Sequence, residues 1–434
     1  MFEKKIDKGS VSFYIEKTDR FKMSRLSFDF ILPADVEGTP LTRLMLATLM
    51  RGSRKYPTVA HINKRLDELY DATVTWRVAS MGERHVFRIS CNMLGNKYRL
   101  PGDTVDIACS VAELVLDILL DPLKDEAGLL NEFNVASEKK LAVDAIKAKI
   151  NDQKAYAADQ CKRLMLGDHV SGISTHGTVE MIEGFTARQI SDNIEHFLRD
   201  STVICYYMGG DDTDKLVSVI SSAFETLKRE NNMLFGRESA FDVVSEKIKQ
   251  KNEIMDVSQG RLCLGYRCGT VMNDGGYYAM NIFNEIFGGS SVGKLFMNVR
   301  EKKSLCYYCY SSYHSANGTI MIGCGIKKEN KEKALDEINA QLELMKSGEF
   351  SEDEINTAKR TVISGIRQIN DSPAAMEAFS FRRLLSGISA TVEETVEKIN
   401  SVTREEIIEA ARKVKLDTVY FLSGEDEEEE FDGE

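Results

Sequence analysis

Between residues 288 and 307 the chain carries a run of residues able to do chemistry. It reads Gly288-Gly289-Ser290-Ser291 and then Arg300-Glu301-Lys302-Lys303-Ser304-Leu305-Cys306-Tyr307. A guanidinium forks onto oxygen acceptors, and a phenol can donate a hydrogen bond to a developing oxyanion. A plainer account covers part of the run: the glycine pair ends a helix, Ser290 or Ser291 caps the next one, and cations near Lys303 suit the macrodipole. That account explains a cation near residue 300. It does not explain why Arg and Tyr flank a Glu-Lys-Lys-Ser-Leu-Cys stretch.

Other chemistry is thinly provided. Cys306 and Cys309 have redox-pair or zinc spacing, but they lie in a tyrosine-rich run that reads as a strand. In a regular strand residues three apart face opposite ways, so no redox or metal role is expected there. The six histidines are His61, His85, His169, His176, His196 and His314, and no two are three or four apart. A helical imidazole pair for Zn²⁺ is therefore missing. No nucleophile-elbow glycine pattern is visible either.

The chain has 434 residues, 43% hydrophobic and 29% charged, with only 6 Pro. This is the composition of a globular protein of two or three domains. No apolar run approaches the ~20 residues a membrane span needs, and the N-terminus lacks the apolar core of a signal peptide. Nine cysteines, an odd number, suggest reduced thiols in a cytoplasm. The last ten residues, 425–434, hold eight carboxylates; removing them from a formal charge of −12 leaves the body near −4. The tail is expected to be a solvated, disordered end. Without a basic surplus, nucleic-acid binding is not expected.

Elements that could position the 288–307 run emerge from an internal duplication. Thr186-Ala187-Arg188-Gln189-Ile190 recurs 217 residues later as Thr403-Arg404-Glu405-Glu406-Ile407. Both have the capping-box pattern, in which Thr accepts from the third backbone N–H and Gln or Glu reaches back. Each is followed by a β-branched and aromatic run, at 202–207 and 418–422, closed by Gly209 or Gly424. Lys162-Arg163-Leu164-Met165-Leu166-Gly167 likewise answers to Arg382-Arg383-Leu384-Leu385-Ser386-Gly387 at a spacing of 220. Two copies predict two similar domains, 1–228 and 254–424, joined by a polar linker over 229–253 and followed by the tail. Strands and helices that do not strictly alternate predict an α+β class. Each half would be a mainly antiparallel or mixed sheet with helices packed on one face.

In the first half, Thr39-Pro40 reads as N-cap and first turn of a buried helix that stops at Gly52. A second helix from Thr58 and strands at 73–78 and 84–91 follow. This order, and the match Gly-Gly-Ser-Ser-x₄-Leu-Phe-x₃-Arg-Glu-Lys-x₃-Cys-Tyr in the second half, resemble the insulinase/pitrilysin-type zinc peptidases over essentially the whole chain. Within that family the chain is most similar to bacterial proteins associated with elongation factor P aminopentanol modification, which lack the zinc motif.

The resemblance implies several things. Anchoring on the turn Arg51-Gly52-Ser53 puts the two metal-ligand positions at Arg43 and Ala47 and the general base at Leu46, none of which can serve. The family's distal Glu ligand would fall around Glu138 to Asp144. Gly288, Gly289, Ser290 and Ser291 would form part of a substrate-binding turn. Arg300 would hold substrate carbonyls, and Tyr307 would meet the oxyanion. The chain would then bind no zinc and cut nothing alone. It would serve as a non-catalytic subunit, paired with a zinc-bearing homologous peptidase and acting on unfolded peptide. A non-proteolytic scaffold of the same fold is the alternative.

Overall fold

The computed structural model describes residues 4–8, 10–167, 169–172, 174–225, 227, 240 and 247–425. Most of the expected linker, and all of the acidic tail but Glu425, lie outside these residues. Two compact units are present, interleaved in sequence. The first comprises 1–147, 173–236 and 369–389; the second comprises 148–172, 237–368 and 390–434.

The strands of the first unit are β1 (Lys4–Lys8), β2 (Val11–Lys17), β3 (Met23–Pro33), β4 (Thr73–Met81), β5 (Arg84–Leu94) and β6 (Thr202–Gly209). They form a sheet ordered β1-β2-β6-β3-β5-β4. The β2–β6 pair is parallel and the other pairs are antiparallel. The second unit has β7 (Lys249–Ile254), β8 (Gly260–Arg267), β9 (Cys306–His314), β10 (Thr319–Ile326) and β11 (Lys415–Ser423), ordered β7-β11-β8-β10-β9. Here β7 runs parallel to β11 and the other pairs are antiparallel. Apart from β1, the two sheets follow one scheme, which is the duplication expressed as topology. β7 forms from residues whose polar composition reads as linker. It is an edge strand, and an edge tolerates that composition.

Both capping boxes are formed. Thr186 caps the helix Ala187–Asp200 and Thr403 caps Arg404–Lys413. Replacing either Thr with Ala should cost about 1 kcal/mol of unfolding free energy, and replacing it with Gly only a few tenths, in urea titrations. Elsewhere the local prediction fails. Thr39 lies inside the helix Gly38–Leu49, and its hydroxyl pairs with Nδ1 of the buried His85. Asp35 takes over the cap by accepting from the backbone N–H groups of Glu37 and Gly38.

In the first unit the helices Gly38–Leu49, Ile107–Leu120, Ala187–Asp200 and Thr213–Glu225 pack on the sheet face lined by Phe28, Phe30, Phe87 and Ile89. That is the expected helix layer. Each sheet also carries one helix on its other face, which the sequence reading does not anticipate. On the first sheet this is Pro373–Leu385, whose Phe381 and Leu385 pack on Ile31, Val86, Ile204 and Tyr206. On the second it is Gln153–Leu166, whose Ala157 and Cys161 pack beside Cys263, Tyr420 and Leu422. These are the segments repeated at a spacing of 220. Each helix thus belongs to the unit built mainly from the other half of the sequence.

Helix Pro373–Leu385 also contributes a charge to a buried network. Arg88 holds Asp29 through two hydrogen bonds, one of them 2.6 Å, and lies 3.2 Å from Glu377. Arg25 pairs with Glu377 as well, and donates to Asn92 at 2.8 Å and Ser90 at 3.0 Å. Burial pushes the Asp29 carboxyl up to about 6 against the opposing pull of Arg88. Among the described residues no helix is long and apolar enough to cross a membrane.

Candidate functional site

Helix Tyr277–Asn284 runs on into a wider, π-type turn over Glu285–Gly289, and a second widened helix covers Leu295–Lys302. Such winding is uncommon and is often found at functional sites. Gly288 is needed because a Cβ there would stand 2.6 Å from Cδ1 of Leu295 and 3.0 Å from Oγ of Ser311. Neither serine caps the second helix, contrary to expectation: its preceding residue is Lys294. Ser290 closes the first helix instead, its hydroxyl donating to the Glu285 carbonyl at 3.4 Å. The chain between them turns through Gly293 N–H, which donates to the Ser290 carbonyl at 3.1 Å.

Arg300 sits in the last turn of the second helix. Its guanidinium lies 4.6 Å from the Phe296 ring centroid and 3.5 Å from Oε1 of Glu301, with 40% of the side chain exposed. The helix ends at Ser304, a non-glycine residue in the left-handed region at φ 51°. That conformation is strained for a residue with a Cβ. It is held by Ser304 N–H donating to the Arg300 carbonyl, and by Leu305 N–H donating to that of Val299, both at 3.0 Å.

Immediately afterwards β9 contains a bulge. Tyr308 pairs with Gly325 and Cys306 with Ile326, which leaves Tyr307 as the extra residue. Bulges re-aim side chains, and Tyr307 stands 56% exposed. Arg300 and Tyr307 are thereby set at a strained helix end and a strand bulge separated by one short turn. The exposed apolar residues Val292 and Met297 lie within the same stretch of chain.

The bulge also overturns the expectation that Cys306 and Cys309 face opposite ways. Strand parity is reset at Tyr307, so Cys306 shares a face with Cys309, and Cys309 lies directly opposite Cys324 of β10. The three thiols are thereby placed as neighbours on one face of the β9–β10 pair.

In the first unit the three degenerate positions lie on helix Gly38–Leu49. Leu46 is fully buried in the core, Ala47 is half-buried, and the half-buried Arg43 reaches over Trp76 of β4 at 5.3 Å from the ring centroid. Burial lowers the Arg43 pKa but leaves a guanidinium, which cannot ligate a metal. Glu138, at the start of the stretch where a distal ligand would fall, is taken by an ion pair with Arg51. A cation from the protein therefore occupies the carboxylate. These residues do not fit zinc. Among the described residues no group of three or more His, Cys, Asp or Glu is placed to hold a metal ion.

Two similarly wired α+β units, one bearing the Arg–Tyr run and the other with no metal-holding group among its described residues, have the layout of a peptidase-type fold whose metal positions are replaced. The family profile described as "Peptidase M16 inactive domain" matches residues 184–362. A protein of Bacillus subtilis described as "Probable inactive metalloprotease YmfF" is 30% identical over 424 residues, covering 97% of this chain and 98% of that one. "Uncharacterized zinc protease YmxG" of the same organism is 23% identical over 308 residues, 70% of this chain and 73% of that protein. A crystal structure of a conserved protein from Enterococcus faecalis V583 matches with TM-score 0.88 and 26% identity, covering 97% and 98% of the two chains. The M16 inactive-domain structure from Pseudomonas fluorescens matches at TM-score 0.75 and 16% identity over 97% and 98%, a likeness of fold. The chain belongs to the M16 peptidase family, the insulinase/pitrilysin type, and is a non-catalytic homologue within it.

Proposed function

We propose that this protein is the non-catalytic subunit of a cytoplasmic peptidase pair. It joins a zinc-bearing homologous subunit and presents Arg300 and Tyr307 to an unfolded peptide held by the assembly. The observation that carries this reading is the bulge at Tyr307, which turns a large phenol into solvent beside the strained helix end carrying Arg300. A purely structural strand has no use for such a residue. The turn at Gly288, Gly289, Ser290 and Ser291 would line the peptide path, and the exposed Val292 and Met297 would add apolar contact to it. Strand β4 supports peptide binding as well. Among the described residues it is one of the two edges of its sheet, and an extended peptide can add to such an edge through main-chain hydrogen bonds. Nine free thiols suit a reducing compartment.

The test is reconstitution. The purified chain alone is expected to hold no stoichiometric zinc by elemental analysis and to leave an unfolded fluorogenic peptide intact. Mixed with a zinc-bearing M16 homologue from the same organism, it should form a complex that cleaves the peptide. Zinc near one per chain, lost together with activity on chelation, would overturn the reading. So would a homologue whose cleavage is the same with and without this chain.

A further inference from the structure

Three of the nine cysteines meet at the place where β9 begins. Cys309 and Cys324 are register partners on neighbouring strands, both buried, and Cys306 lies on the same face as both because of the bulge. Directly opposed residues of an antiparallel pair have Cα atoms about 4.5–5.5 Å apart, inside the range a disulfide spans. Cys306 alone of the nine is not fully buried; the other six outside the trio-pair are Cys91, Cys109, Cys161, Cys205, Cys263 and Cys268. We propose that Cys306, Cys309 and Cys324 form a redox-sensitive thiol site, in which Cys306 is the oxidisable thiol and the two strand-paired cysteines resolve it.

The chemistry requires hydrogen peroxide as the two-electron oxidant. The Cys306 thiolate attacks the peroxide O–O bond, forming cysteine sulfenic acid and releasing water after protonation. A neighbouring thiol then attacks the sulfenic sulfur, forming an S–S bond and releasing a second water. Two thiols are oxidised and one peroxide is reduced to two waters. The third thiol allows exchange that carries the bond to the opposed Cys309–Cys324 pair and returns Cys306 to the thiol. Electrostatics favour this division of labour. Hydrogen bonds from Cys309 and Cys324, helped by the nearby charge of Arg300, lower the Cys306 pKa to about 4, whereas Cys309 and Cys324 are held well above the usual thiol value. A thiolate that is partly accessible beside a resolving cysteine is the arrangement of a redox-sensing site. The consequence is local. A disulfide here would brace the strand pair beneath Tyr307 and couple the oxidation state of the cell to the geometry of that residue.

The full-length chain should be treated with hydrogen peroxide, the remaining thiols alkylated, and peptides mapped by mass spectrometry. One disulfide per chain within the trio is expected, reversed by dithiothreitol, with the six other cysteines still alkylated. Before oxidation, iodoacetamide at pH 6 should modify Cys306, where an ordinary thiol is largely unreactive. Cys306→Ser should slow disulfide formation ~10-fold or more, because the remaining buried thiols lack thiolate character. Cys306→Ala serves as a second version should the serine variant fold poorly. Cys309→Ser and Cys324→Ser should each leave Cys306 able to close a bond with the other. Disulfide formation at an unchanged rate without Cys306 would overturn the proposal. So would Cys306 passing only to sulfinic acid, or oxidation spread evenly over all nine cysteines.

Discussion

In the reconstituted pair, Tyr307→Phe is expected to reduce kcat for peptide cleavage by on the order of 10²-fold or more, with the complex still formed. That magnitude follows from removing one oxyanion donor from a preorganised site. Tyr307 is 56% exposed and is the unpaired residue of a bulge, so loss of its hydroxyl should leave the melting curve of this chain unchanged. Arg300→Ala should act differently. A guanidinium that clamps substrate carbonyls contributes to positioning, so its loss should raise KM as well as lower kcat. Arg300→Lys should not restore the activity, because an ammonium cannot fork onto two oxygens. Removing Arg300 also uncovers the Phe296 ring it lies over, so circular dichroism and sizing of the complex are needed beside the kinetics. Unchanged cleavage by both variants in an intact complex would favour the scaffold alternative, in which this fold joins a partner without touching the reaction.

Local signals in the sequence were strong enough to place the repeat and several of the strands. Thr186 and Thr403 cap their helices as their spacing to Gln189 and Glu406 requires, because a capping box is satisfied within four residues. The same locality explains what stayed hidden. The exchange of helices Gln153–Leu166 and Pro373–Leu385 leaves each helix amphipathic, and an apolar face does not say which sheet it covers. The bulge at Tyr307 depends on how Gly325 and Ile326 of β10 align, a register no stretch of β9 encodes by itself. Strict alternation therefore misjudged Cys306. Residues 43, 46 and 47 could be read as unable to bind metal from their types alone. The pairing of Arg51 with Glu138 joins residues 87 apart in sequence and required the fold.

Glu377→Ala is expected to destabilise the first unit by about 3–5 kcal/mol, the range for removing one partner from a buried ion network. Glu377 is 1% exposed and faces both Arg25 and Arg88, so its loss removes a carboxylate shared by two guanidinium groups. Arg25 retains Asn92 and Ser90, and Arg88 retains Asp29. The uncompensated positive charge should therefore fall mainly on Arg25, whose remaining partners are neutral, while the helix Pro373–Leu385 loses its only acidic link to the sheet among the described residues. Apolar contact cannot substitute, since that helix has Phe381 and Leu385 as its fully buried apolar residues on this face. Urea denaturation gives the size of the effect, and limited proteolysis within 369–389 shows whether the helix detaches first. The raised pKa of Asp29 indicates that desolvation outweighs attraction at that carboxylate, so the network is expected to fix placement more than to add stability. Replacing Asp29, Arg88 and Glu377 together with apolar residues of similar volume should then cost much less than the sum of the single changes. If Glu377→Ala alone costs under ~1 kcal/mol, water reaches this cluster, and something other than buried charge pairs a helix from the second half of the chain with a sheet from the first.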